Sequence, residues 1–165
     1  MKKFLTILFA IFIVNLGCKK ENIGGGTLCA CTYANDAVLG LVIKTSSGLD
    51  LLNAKTTGYF DKTKIQLYSK DANNVITPIR FDIAPPFTYL YTLKMEYYYL
   101  SSHEIVLKSK SVKNIFYLKL GDKEYELNLK INNNAVEKLL IDNIDAPREL
   151  PNKEQYLNSI YTLKI

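Results

Sequence analysis

Between Phe87 and Tyr99 the chain alternates with period two: Phe87, Tyr89, Tyr91, Leu93, Met95, Tyr97 and Tyr99 stand at odd positions, with Thr88, Thr92, Lys94 and Glu96 between them. A helix would bring apolar residues round every three or four positions, so this segment is committed to β structure. At about 3.3 Å per residue the run would span roughly 43 Å, too long for one strand of a small sheet. The alternation therefore predicts a bend or break near Leu90 to Thr92.

The same period governs most of the chain after Ala37. Ala37 to Thr45 reads as an apolar first strand closed by Ser46-Ser47-Gly48, and Lys64 to Lys70 points Ile65 and Leu67 one way and Tyr68 the other. The turn Asp71-Ala72-Asn73-Asn74 leads into a strand from Val75 to Ile83, on which Ile79, Phe81 and Ile83 share a face and Pro78 demands an edge or a bulge. Glu104 to Lys108 reads as a further strand. Asn114 to Leu120 and Glu124 to Ile131 form a hairpin across Gly121-Asp122-Lys123, with Tyr125, Leu127, Leu129 and Ile131 facing the core. Val136 to Asp142 and Ile160 to Ile165 complete the set, and Lys153 to Leu157 suits a helical turn. Eight or nine short strands in 165 residues predict one all-β domain, an antiparallel β-sandwich of immunoglobulin-like or transthyretin-like architecture. Hydrophobic residues at 48% exclude a disordered chain and supply a core.

The first residues speak about location. Met1-Lys2-Lys3 is a basic start, and Phe4 to Leu16 is an apolar run of 13 residues, short of the 20 or so that a membrane-spanning helix needs. The run ends in Val14-Asn15-Leu16-Gly17-Cys18, which resembles a bacterial lipobox, with an ordinary secretory signal as the bland alternative. The resemblance implies a signal peptide at residues 1–17, lipidation of Cys18, a flexible tether at 18–28 containing Gly24-Gly25-Gly26, and a single domain at 29–165. Lys19 after the lipidated cysteine implies release to the outer membrane, facing the periplasm or the cell surface. Loss of Lys2 and Lys3 leaves 19 basic against 16 acidic residues, a net of +3. So small an excess, without clustered Lys and Arg, disfavours nucleic acid as a partner.

Each candidate site has a bland rival. Cys29-Ala30-Cys31 is a thiol pair suited to a tight local disulfide, an intermolecular pairing or metal capture, and only remotely to redox exchange. His103 is the sole imidazole and reads as a solvated turn residue, because a triad or zinc site needs converging partners. Asp50, Asn53 and Asp61 carry oxygens that calcium would accept, but their spacing fits no EF-hand loop, and backbone capping beside a Gly48 turn is the expected role. Lys108, Lys110 and Lys113 are the nearest thing to a basic cluster. Tyr97, Tyr98 and Tyr99 must alternate across a strand, and are candidate ligand-facing aromatics for a glycan. No catalytic residues, metal ligands or cofactor fingerprint emerge.

The Cys-x-Cys near the mature N-terminus, Ser-Gly-Leu-Asp-Leu-Leu-Asn at 47–53, Gly-Tyr-Phe at 58–60, Pro-Pro-Phe-Thr-Tyr at 85–89, Phe-Tyr-Leu-Lys-Leu-Gly at 116–121 and Lys-Leu-Leu-Ile-Asp at 138–142, behind a lipoprotein signal, resemble a group of small uncharacterised lipoproteins of Bacteroidota. The resemblance implies an all-β envelope domain and carries no activity with it. Two functions are expected to compete: a non-catalytic module that binds or scaffolds an envelope protein, and a capture module for surface glycans or small ligands. Neither requires an enzyme.

Overall fold

The computed structural model describes residues 37–89, 93–111, 115–132, 135–150 and 159–165. The expected signal peptide, the expected lipidation site Cys18, the expected tether, the pair Cys29 and Cys31, and the expected helical turn at Lys153 to Leu157 lie outside these residues.

The domain is an all-β sandwich. The first sheet contains β1 (Leu39–Lys44), β4 (Asp82–Ala84), β7 (Tyr99–Ser102) and β12 (Ile160–Lys164), in the order β12-β1-β7-β4. The second contains β2 (Ile65–Lys70), β3 (Ile76–Pro78), β8 (Ile115–Leu120), β9 (Lys123–Asn132), β10 (Ala135–Ile141) and β11 (Ile144–Asp145), in the order β11-β10-β9-β8-β2-β3. Between the sheets lie Leu39, Leu41, Ile43, Leu100, Tyr161 and Leu163 from one side and Ile65, Leu67, Phe116, Leu118, Leu127 and Leu139 from the other.

A third layer closes the outside of the first sheet. The long alternation folds back on itself as the hairpin β5 (Phe87–Tyr89) and β6 (Leu93–Met95), with Phe87 opposite Met95, and the break falls where length requires it. Met95 is buried against Val42 and Ile160 in a second apolar cluster that also takes Phe87, Tyr97, Tyr99 and Leu150. β1 is thus covered on both faces, Leu39, Leu41 and Ile43 inward and Val42 outward. That is why it reads as a continuous apolar run. Gly40 sits where a Cβ would meet Ile160 Cγ1 at 2.9 Å, so only glycine lets β12 approach.

Turn chemistry sets the hairpin registers. Gly121 holds φ +59° at the first loop position between Leu120 and Lys123, while Asp142 and Asn143 take φ 49° and 65° to turn β10 into the short β11, which the sequence reading missed. Leu127 is buried, and Tyr125, Leu129 and Ile131 pack against the core as their alternation requires.

Three expectations need correction. The segment Val75 to Ile83 is two strands in different sheets: β3 pairs with β2, then Ile79 to Phe81 cross the sandwich and β4 pairs with β7. Ile79 N–H donates to Leu67 C=O, so the alternate residue Pro78 has its nitrogen turned to the open edge, where no ladder bond is lost. Glu104 to Lys108 is the start of a helix, α1 (Glu104–Ser111), not a strand. Ser102 Oγ accepts from Ile105 N–H at 3.3 Å, and His103 C=O accepts from Val106 and Leu107. Glu104 in the first turn and Lys108 and Lys110 in the last complement the helix dipole. Ile105 and Val106 are both buried, which one face of a helix allows, whereas adjacent residues of a strand point to opposite faces. Finally, the sandwich is not wholly antiparallel, because β12 pairs parallel to β1.

Candidate functional site

The looped segment 45–61, at the end of β1, is built residue by residue. Gly48 N–H donates to Thr45 C=O at 2.9 Å, and the Gly48 φ of +92° then turns the chain so that Leu49 N–H donates to Thr45 Oγ1 at 3.0 Å. Leu51 and Leu52 are buried and fix the loop to the core, with Leu51 N–H on Ile43 C=O and Phe60 N–H on Leu51 C=O, both at 2.8 Å. Asp50 is the hub: Oδ1 accepts from Leu52 N–H at 2.9 Å and Oδ2 from Tyr98 N–H at 2.8 Å. Asn53 Oδ1 accepts from Lys55 N–H, and Asp61 Oδ1 from Thr63 N–H and its hydroxyl, which hold the Asp61 carboxyl below the usual carboxylate range. The three oxygens weighed as calcium ligands thus cap backbone, and no group of three His, Cys, Asp or Glu stands together among the described residues. The segment leaves Leu49 58% and Tyr59 37% exposed on a frame held by these hydrogen bonds.

Beside it runs a buried polar cluster that the sequence did not reveal. Lys44 Nζ lies 2.7 Å from Glu149 Oε1, with the two side chains only 10% and 13% exposed. Thr162 Oγ1 donates to Glu149 Oε2. The ammonium also sits 3.4 Å from the centroid of the Tyr97 ring. A desolvated ion pair of this kind is tolerable because its remaining donors and acceptors find partners. Tyr97, Tyr98 and Tyr99 alternate as expected: Tyr98 packs on the main core, while Tyr97 and Tyr99 join the second cluster. Tyr99 stands edge-on to Phe87 at 6.0 Å, and burial raises its hydroxyl pKa. All three rings are half-buried.

A second aromatic cluster occupies the outer face of the six-stranded sheet. Tyr68 and Tyr117, opposite each other in register, stack at 5.5 Å, with Lys70 Nζ 4.0 Å from the Tyr117 centroid and 3.2 Å from Glu124 Oε1. Tyr68 OH donates to Glu124, and burial together with that bond pushes the phenol up to about 12. Glu124 is correspondingly lowered, first by the Tyr68 hydroxyl. Only the period-two register could have flagged this pairing, and register is invisible until strand neighbours are known.

Other sequence candidates separate. His103 is half-buried at the start of α1, not in a solvated turn before a strand. Lys108 pairs with Glu104 at 3.7 Å, and Lys113 lies outside the described residues. Among the described residues no helix is long and apolar enough to cross a membrane. Set against family models, curated proteins and solved structures, the chain finds no match.

Proposed function

We propose that the chain is a non-catalytic binding module of the bacterial envelope, lipidated at Cys18, held at the outer membrane, and docking an envelope protein through the loop 45–61. The observation that carries the reading is the pairing of exposed Leu49 and Tyr59 with a hydrogen-bonded frame centred on Asp50. Apolar tips on a fixed loop suit protein recognition, since little ordering entropy remains to oppose binding. Glycan capture draws less support, because the ring of Tyr97 already carries Lys44 and that of Tyr99 leans on Phe87.

A photo-crosslinking residue placed at Leu49 or Tyr59 in living cells tests the proposal, with Asn128 on the far sheet as control. A discrete adduct with an envelope protein at both loop positions, lost when the other carries aspartate, is the expected result. Absence of any adduct at 49 and 59, in cells where Cys18 takes up a labelled fatty acid, would sink the docking reading. A Cys18→Ala chain that still takes up the label would sink the anchor.

A further inference from the structure

Among the described residues, five of the seven exposed large aliphatic side chains gather at the same end of the sandwich, while Leu49 and Ile144, the latter 73% exposed, lie at the other. One end of the sandwich is fixed by the bonds Leu51 N–H to Ile43 C=O, Phe60 N–H to Leu51 C=O and Gly121 N–H to Lys64 C=O, which gather the end of β1, the start of β2 and the β8–β9 turn. The start of β1, the end of β2 and the starts of β3 and β8 therefore lie at the opposite end. There the start of β10 is tied to the residue before β12 by Val136 N–H on Ser159 Oγ at 3.2 Å. At this opposite end stand Val75 at 57%, Ile76 at 58% and Ile115 at 48% exposure, with Val38 at the entry to β1 and Leu107 on α1 also exposed. Ile76 and Ile115 flank Lys70 in one row across three strands. The Lys70 ammonium is drawn away to Glu124 and the Tyr117 ring, so the row presents methylenes between two isoleucines rather than a bare charge.

Ala37, the first described residue on the side toward Cys18, lies at this same end. We infer that this apolar end is a second membrane contact, seated on the lipid surface into which Cys18 is anchored. The inference rests on the lipid-anchor reading above. Residues 19–36 reach at most about 65 Å when fully extended, so an anchored domain stays near the bilayer at a high effective concentration. Under that condition a patch too small to hold a free protein on lipid suffices to orient a tethered one. Such seating turns Leu49 and Tyr59, at the far end, toward the envelope space where a protein partner would meet them.

The chain contains no Trp, so single-tryptophan variants report without background. The lipidated full-length protein carrying Ile76→Trp, Ile115→Trp or Val75→Trp is placed in phosphatidylethanolamine–phosphatidylglycerol vesicles with brominated acyl chains, beside Leu49→Trp. All four positions are exposed, and unchanged urea midpoints confirm folding. The expected result is blue-shifted emission quenched by brominated lipid at 75, 76 and 115, and unshifted, unquenched emission at 49. Protein that floats with the vesicles while 76 and 115 stay as solvated as 49 would overturn the inference and leave the anchor standing. Protein that fails to float defeats both readings. Shielding seen in native envelopes but not in vesicles would assign the patch to a protein and likewise overturn it.

Discussion

Lys44 and Glu149 show how a single pair decides local stability. Each is nearly buried, so removing one leaves the other desolvated without its counter-charge. Lys44→Ala should cost about 3–5 kcal/mol. The double variant Lys44→Met with Glu149→Leu should recover most of that loss, because shape is kept and no charge is stranded. Urea midpoints of Lys44→Met, Glu149→Leu and the double variant check this directly. A double variant whose loss equals the sum of the single losses would mean that the two groups do not interact. Much of the residue-level detail was legible: Gly48, Asp50 and Asn53 do what glycine, aspartate and asparagine do in turns. The ion pair was not, because 105 positions separate its partners and only the seating of the segment before β12 brings them together.

At the scale of elements, period two located most strands, while the three apolar positions of Glu104 to Lys108 could not separate strand from helix. Local pattern was silent there; capping by Ser102 and His103, together with core positions for both Ile105 and Val106, decided the outcome. The strands β2, β8 and β9 together create the Tyr68–Glu124 contact, and a pH dependence follows from it. The Tyr68 phenol is pushed to about 12 in the folded state against about 10 unfolded, mainly by burial. The folded protein then keeps a proton that the unfolded chain loses. The associated stability is whole below pH 10 and drains away between about 10 and 12. Tyr99, Tyr125 and Tyr161 are also raised by burial, so alkaline unfolding should be steep. A series of urea midpoints against pH should stay level up to about pH 9 and fall above 10, with a shallower fall for Tyr68→Phe. An identical slope in that variant would show that Tyr68 takes no part.

The whole molecule is closed by its last strand. β12 lies parallel to β1, so the first and last strands of the described domain are neighbours, and nothing in a period-two pattern says which strands will meet. The free side of β12 is in turn covered by the preceding segment, with Glu149 N–H on Ile160 C=O and Thr162 N–H on Pro147 C=O, both at 2.9 Å. Tyr161 crosses between sheets, its hydroxyl donating to Val136 C=O at 2.8 Å. Ile160 fills the outer cluster while Tyr161 and Leu163 fill the inner one, so a single strand serves both apolar layers. Burial of three such side chains contributes about 5–9 kcal/mol, comparable to the whole stability of a domain this size. A chain ending at Ser159 should therefore lack a cooperative urea transition and the near-ultraviolet circular dichroism of ordered tyrosines. A peptide of residues 160–165 added in excess should restore both in proportion to its concentration, since it binds only the folded arrangement. A truncated chain that still melts cooperatively within about 2 kcal/mol of the full one would mean that the two sheets hold without their closing strand, and that β1 tolerates an open edge.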